Sequence, residues 1–160
     1  MRNAIRYELT VPLGTGGLRL ERESPVGRDA IPTLAVDVIY TSDAGTQGAL
    51  GKAWALSQDL GAHVRLVFIY TVPYTLPLSA PAVSLPFLQN KLAKLAGGFS
   101  GEASVHIFLC RNASQALEDV LAPASLVVVG GKRRWWQSKE ERLESRLKKL
   151  GHRVIFVESR

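Results

Sequence analysis

The chain contains one cysteine, Cys110, so it can form no internal disulfide, which suits a reducing compartment. No segment approaches the roughly 20 apolar residues of a membrane-spanning helix. The first residues, Met1-Arg2-Asn3-Ala4-Ile5-Arg6-Tyr7-Glu8, lack the apolar core of a secretory signal. A cytoplasmic protein is therefore expected. The sequon Asn112-Ala113-Ser114 carries little weight without an export signal. Histidines are scarce and scattered: His63, His106 and His152 lie 43 and 46 residues apart, and no metal-ligand spacing involves them. No nucleophile, base and orienting group stand in a recognisable pattern. The expectation is a protein with no catalytic residues and no metal.

The 160 residues suit a single domain, and an apolar fraction of 46% suffices for a core. Charge is unevenly placed. Residues 132–160 hold ten Lys/Arg against four acids, the whole net charge of +6, while residues 1–131 balance at ten against ten. Such a basic end can attract nucleic acid, phosphates or an anionic membrane surface, or be a solvated helix face with interleaved acids.

Residues 1–32 differ from the rest. Tyr7–Val11 reads as a short strand, Gly14-Thr15-Gly16-Gly17 as a turn, and Leu18–Arg22, alternating with period two, as an edge strand. Pro25, Gly27 and Pro32 then interrupt regular structure. This predicts an N-terminal arm or hairpin over 1–32 and the main domain over 33–160.

From residue 33 strands and helices alternate. Leu34–Tyr40 is an apolar strand; Ser42-Asp43 offers caps for a helix over 44–60, with Ala49, Ala53, Leu56 and Leu60 on one face and Gly61 at its end. A strand over Val64–Tyr70, a connector with Pro73, Pro77, Pro81 and Pro86, and a helix near 86–96 stopped by Gly97-Gly98 follow. A third strand spans Ser104–Leu109. A helix capped by Asn112 or Ser114 runs to Leu121, with Ala113, Ala116, Leu117 and Val120 inward. Leu126–Val129 is the fourth strand, Ser138–Leu150 a helix with Leu143, Leu147 and Leu150 inward, and Arg153–Val157 the fifth strand. Five apolar strands alternating with helices predict an α/β fold: a five-stranded parallel sheet with helices on both faces, Rossmann-like. Ligands of such sheets meet the carboxyl ends of the strands. Here those ends are Thr41-Ser42-Asp43, Tyr70–Pro73, Cys110-Arg111-Asn112 and Gly130-Gly131-Lys132.

The last of these is the most informative. Val127-Val128-Val129 ends in Gly130-Gly131, followed by Lys132-Arg133-Arg134, Trp135-Trp136 and a helix. Strand, glycine turn and helix N-terminus together form the usual phosphate-holding arrangement of α/β proteins. Thr41, Asp43, Gly130, Gly131, Lys132, Arg133 and Arg134 are the candidate nucleotide or anion site.

Over residues 33–158 the chain resembles the universal stress protein (UspA-like) family, whose fold is adenine-nucleotide alpha hydrolase-like. The resemblance rests on Val38–Ala44 through Ala49-Leu50 to Leu60-Gly61-Ala62, on strand Val64–Tyr70 with its following proline, on Leu126–Gly130 and on the terminal Arg153–Val157. It implies a homodimer joined through the C-terminal strand, Val154–Val157, and in ATP-binding members a bound ATP or another adenine nucleotide. The departures lie at the nucleotide loop. Those members carry an Asp at the end of the first strand, where Thr41 stands here, with Asp43 two residues on. Their loop has glycine, two residues, glycine, nine residues, then Gly-Ser or Gly-Thr. Here Gly130 is present, Arg133 stands at the second glycine, and the run through Arg142-Leu143-Glu144 replaces the small pair. The Lys132–Trp136 stretch resembles a divergent branch, the stress-protein-like domain of the sensor kinase KdpD and the cytoplasmic domains of amino-acid permeases.

The expectation is thus a non-catalytic, dimeric regulatory or interaction module with a degenerate ATP loop. The alternatives are a stress-response protein binding ATP or a cyclic dinucleotide, and a basic surface for nucleic acid or anionic membrane. Individual residues leave choices open. Asp37, inside an apolar strand, either faces water at an edge or is buried and hydrogen-bonded. Cys110 is a buried small hydrophobe or a thiol activated by Arg111 and a helix N-terminus. Trp135 and Trp136 are a lid over the sheet end, an interface, or a platform for a base or a lipid surface.

Overall fold

A computed structural model describes residues 4–11, 19–25, 34–97 and 103–159. The expected turn at Gly14–Gly17, the breakers Gly27 and Pro32, and Gly98 lie outside the described residues. Seven strands form one sheet: β1 (Ala4–Val11), β2 (Arg19–Pro25), β3 (Ala35–Ile39), β4 (His63–Thr71), β5 (Ala103–Cys110), β6 (Leu126–Gly131) and β7 (Arg153–Glu158). Four helices join them: α1 (Asp43–Leu60), α2 (Leu85–Ala96), α3 (Ala113–Val120) and α4 (Lys139–Lys149). The sheet order is β2-β1-β5-β4-β3-β6-β7.

The five strands β5-β4-β3-β6-β7 are parallel, as the alternation of strands and helices predicts. The hairpin β1–β2 adds to this sheet. β1 runs antiparallel to β5 along its whole length, from Ala4 opposite Cys110 to Val11 opposite Ala103, and β2 pairs antiparallel with β1. The expected arm therefore covers what would otherwise be the β5 edge, a pairing hazard when left bare. β7 is the free edge on the other side.

α1 and α2 cover one face, where Ala49, Leu50, Ala53, Leu88 and Leu92 meet Val36, Val38, Leu66, Val105 and Ile107. α3 and α4 cover the other, where Leu117 and Leu147 meet Ile39, Val67, Phe108, Val127 and Val129. The central strands are buried on both faces, which explains their unbroken apolar runs. Two inward assignments need correction: Leu60 is exposed at the end of α1, and Ala113 is exposed in the first turn of α3.

The helix boundaries have local causes. Ser42 accepts from the Gly45 amide, Asn112 accepts from Ser114 and Gln115, and Ser138 with Glu141 forms a capping box. Gly61, at φ 62°, closes α1 in the left-handed conformation.

Asp37 is buried and ion-paired with Arg65, its direct neighbour on β4, while Arg65 Nη2 also reaches the Val120 carbonyl at 3.4 Å. Of the two placements open from sequence, the buried, hydrogen-bonded one holds. Among the described residues no helix is long and apolar enough to cross a membrane.

Candidate functional site

The carboxyl ends of β3 and β6 lie side by side where the sheet order reverses, the position at which this topology offers a crevice. In this chain main chain approaches main chain there. The first turn of α1 packs so closely on the end of β6 that a methyl group at Gly130 would lie 1.8 Å from the Gly45 carbonyl oxygen, and one at Gly45 would lie 2.6 Å from the Gly130 carbonyl oxygen. Thr41 Oγ1 donates to that Gly130 carbonyl at 2.6 Å, and the Thr41 amide donates to Thr46 Oγ1. Thr41 thus ties the end of β3 to β6. Sequence reasoning missed Gly45, yet a signal exists: glycine in a helix's first turn costs stability relative to alanine unless another backbone must approach.

Gly131 is likewise covered. A methyl group there would meet Cβ and Cγ of Glu140 at 2.7 and 2.5 Å. The N-terminus of α4, where a phosphate would rest, carries Glu140 and Glu141, and Ser138 and Glu141 cap it reciprocally. Two carboxylates in the first turn answer the helix dipole that an anionic ligand would otherwise satisfy.

The three cations after Gly131 do not act together. Arg133, its side chain 48% exposed, folds back over β7 and α4: its guanidinium stands 4.2 Å from the centroid of the Phe156 ring and pairs with Glu141 and Glu144 at 3.6 and 3.5 Å. Glu144, mostly buried, also receives Lys148 Nζ at 2.9 Å. Lys132 and Arg134 are exposed and form no ion pair among the described residues. Trp135 is 90% exposed and Trp136 53%, their rings edge to face with centroids 4.7 Å apart. They do not form a lid over the sheet.

Asp43 stands at the mouth of the crevice. It accepts from Tyr40 Oη at 2.7 Å and pairs with Lys91 of α2 at 3.3 Å. The Tyr40 hydrogen bond holds the Asp43 carboxyl below its usual range, and the same hydroxyl raises Lys91. Tyr40 itself is raised, first by burial and then by its bond to Asp43. Lys91 also lies 5.5 Å from the Tyr40 ring centroid, which packs against Phe68. This trio joins α1 to α2; neither Tyr40 nor Lys91 was singled out from sequence.

The remaining strand ends have structural duties. Arg111 donates to the Val72 and Pro73 carbonyls and lies over Tyr74, which holds the connector after β4. Asn112 caps α3. Cys110 is buried beside the Tyr70 carbonyl, and burial raises its thiol, so activation by the adjoining helix does not prevail.

The histidines also stay apart. His152 is buried and hydrogen-bonded through Nδ1 to the amide and hydroxyl of Ser125. His106 is buried in β5, and its pKa is pushed down to about 3, chiefly by burial and then by Arg65, Arg6 and His63. Glu8, 3.8 Å from Nε2, opposes this but is outweighed. The folded protein therefore holds this imidazole neutral, whereas the unfolded chain protonates it below its ordinary value of 6.5. Stability present above pH 6.5 should fall as pH drops toward 3, by about 1.4 kcal/mol per pH unit. Urea unfolding from pH 7 to 4 should show this slope, and His106→Gln should flatten it; an unchanged slope would contradict the assignment.

Among the described residues no group of three His, Cys, Asp or Glu could hold a metal ion. No family model and no curated protein matches the sequence. Among solved structures, a universal stress protein in complex with cAMP is similar, with a TM-score of 0.45 and 20% identity, covering 80% of this chain and 98% of that one.

Proposed function

We propose that the chain is a non-catalytic regulatory or interaction module of the stress-protein type, homodimeric through β7, which meets its partner through the loop Lys132–Trp136. One observation carries this reading: the crevice is closed by the Gly45–Gly130 approach and the Thr41 bond, while Lys132, Arg134 and both tryptophans stand outside it. A triphosphate needs free amides and a bare glycine backbone. Here Glu140 covers Gly131, and Arg133 is held by carboxylates and Phe156. The resemblance of this loop to the KdpD and permease branch supports regulation in place of enzymatic turnover.

β7 supports the dimer. It is a sheet edge whose Val154, Ile155, Phe156 and Val157 are only half-buried, and its outer polar backbone has no strand partner among the described residues. The second reading, an adenine nucleotide or cyclic dinucleotide, draws on the Tyr40, Asp43 and Lys91 cluster at the crevice mouth, where a cation and aromatic rings adjoin. The closed backbone contact weighs against it.

Thermal melting in millimolar ATP, cAMP and a cyclic dinucleotide separates the two readings. A ligand at 100 times its dissociation constant stabilises the folded state by about 2.7 kcal/mol. No shift is expected with any of the three, and light scattering of the same samples should give the dimer mass. A saturable rise in melting temperature, or a monomer at high concentration, would overturn the corresponding part of the proposal.

A further inference from the structure

The loop after β6 holds apolar and cationic groups out together. Two tryptophans of one dipeptide are exposed, a hydration cost that folded proteins rarely leave in one place without use. The cations around them are uncompensated: Lys132, Arg134 and Lys139 are exposed and without ion pairs among the described residues. Farther along α4, Lys148 pairs with Glu144 and Arg146 with Glu118, while Arg142 and Lys149 are exposed and form no ion pair among the described residues. Lys132 and Arg134 thus place free positive charge next to the tryptophans in the same loop.

Tryptophan joins an apolar ring to a polar N–H and settles at the boundary between lipid tails and headgroups, while neighbouring cations meet lipid phosphates. We propose that the Lys132–Trp136 loop docks the protein on an anionic lipid surface, with Trp135 and Trp136 at the headgroup level and Lys132 and Arg134 on the phosphates. This names the partner of the contact loop in the function proposed above and rests on that reading. A single-stranded nucleic acid is the competing partner. It would need a basic groove following its backbone. The groove beside Trp135, about 330 Å³, is lined by Glu141 and Glu144 as well as Arg133 and Arg134, so a phosphate chain in it would face two carboxylates. A membrane needs only the protruding tip.

The test is vesicle sedimentation of the full chain, with tryptophan emission read in parallel. Phosphatidylglycerol-containing vesicles should bind it and shift the emission to the blue; phosphatidylcholine vesicles should not. High salt should weaken binding. Lys132→Gln with Arg134→Gln should weaken it about 25-fold, near fivefold per cation. Trp135→Ala with Trp136→Ala should remove the blue shift while the melting temperature stays unchanged, since these rings are not in the core; Trp54, half-buried in α1, supplies the unshifted background. Absence of binding to anionic vesicles at low salt, binding unaffected by the loop variants, or tight binding of an oligothymidylate in place of vesicles would overturn the proposal. If vesicles fail while ATP still gives no melting shift, only the lipid partner falls. A melting shift with ATP overturns the underlying module reading whatever the vesicles do.

Discussion

Gly130→Ala should be the most damaging of the glycine-to-alanine changes among the described residues. The new carbon would lie 1.8 Å from the Gly45 carbonyl oxygen and 2.5 Å from its carbonyl carbon. Both are main-chain atoms, so no rotamer change relieves the overlap. α1 must withdraw from β6, breaking the Thr41 bond to the Gly130 carbonyl and opening the packing of Ala49 and Ala53 on the sheet. Overpacking of a rigid site typically costs about 1–3 kcal/mol, and a backbone-on-backbone clash belongs at or above the top of that range. A loss of about 3–5 kcal/mol should lower the melting temperature by roughly 10 °C. Gly48→Ala is the control. Its added carbon meets only Val157 Cγ1 at 3.6 Å, so relief of the glycine's helix penalty should leave stability unchanged or higher by about 0.5–1 kcal/mol. Equal melting of Gly130→Ala and the parent would show that the close approach is wrong.

Asp37→Ala should be comparably severe for an electrostatic reason. Asp37 is 2% exposed and its partner Arg65 is mostly covered. Removing the carboxylate leaves the guanidinium beside α3 with the Val120 carbonyl as its remaining partner, at 3.4 Å. Breaking a buried pair from one side typically costs about 3–5 kcal/mol. Arg65→Met should cost a similar amount, because it leaves the carboxylate buried alone. Replacing both by apolar residues of similar size, Asp37→Leu with Arg65→Met, should recover most of the loss, since such an exchange is often neutral. Guanidinium denaturation of the three variants checks this. If the double variant is as unstable as the sum of the singles, the two residues are not acting as a pair.

The parallel core was legible because its strands are buried on both faces and its helices announce themselves by caps, as at Ser42, Asn112 and Ser138. Asp37 was ambiguous because a lone acid in an apolar strand does not say what lies beside it. The register that places Arg65 opposite it belongs to the sheet. A hairpin arm can be expected to cover a sheet edge, but its pattern shows only that two strands pair with each other, not which third strand they join, as β1 joins β5.

At the site, glycine and cation spacing exposed the loop but not its orientation. Arg133 and Arg134 are adjacent and chemically identical, yet one lies over Phe156 between two glutamates and the other faces solvent. That division depends on β7 and α4 lying beside the loop, contacts remote in sequence. Trp135 and Trp136 are alike in this respect, since indole rings suit a lid and a contact surface equally well until their exposure is known.

We propose that backbone closes the crevice between β3 and β6 and that the loop beyond it is the working surface. Amide NMR of the labelled protein during an ATP titration tests it most directly. The resonances of Gly45, Gly130 and Gly131 are predicted to stay in place at millimolar ATP, because Thr41, Gly45 and Glu140 already occupy the space around them. Saturable displacement of those three signals would contradict the account and restore the nucleotide site.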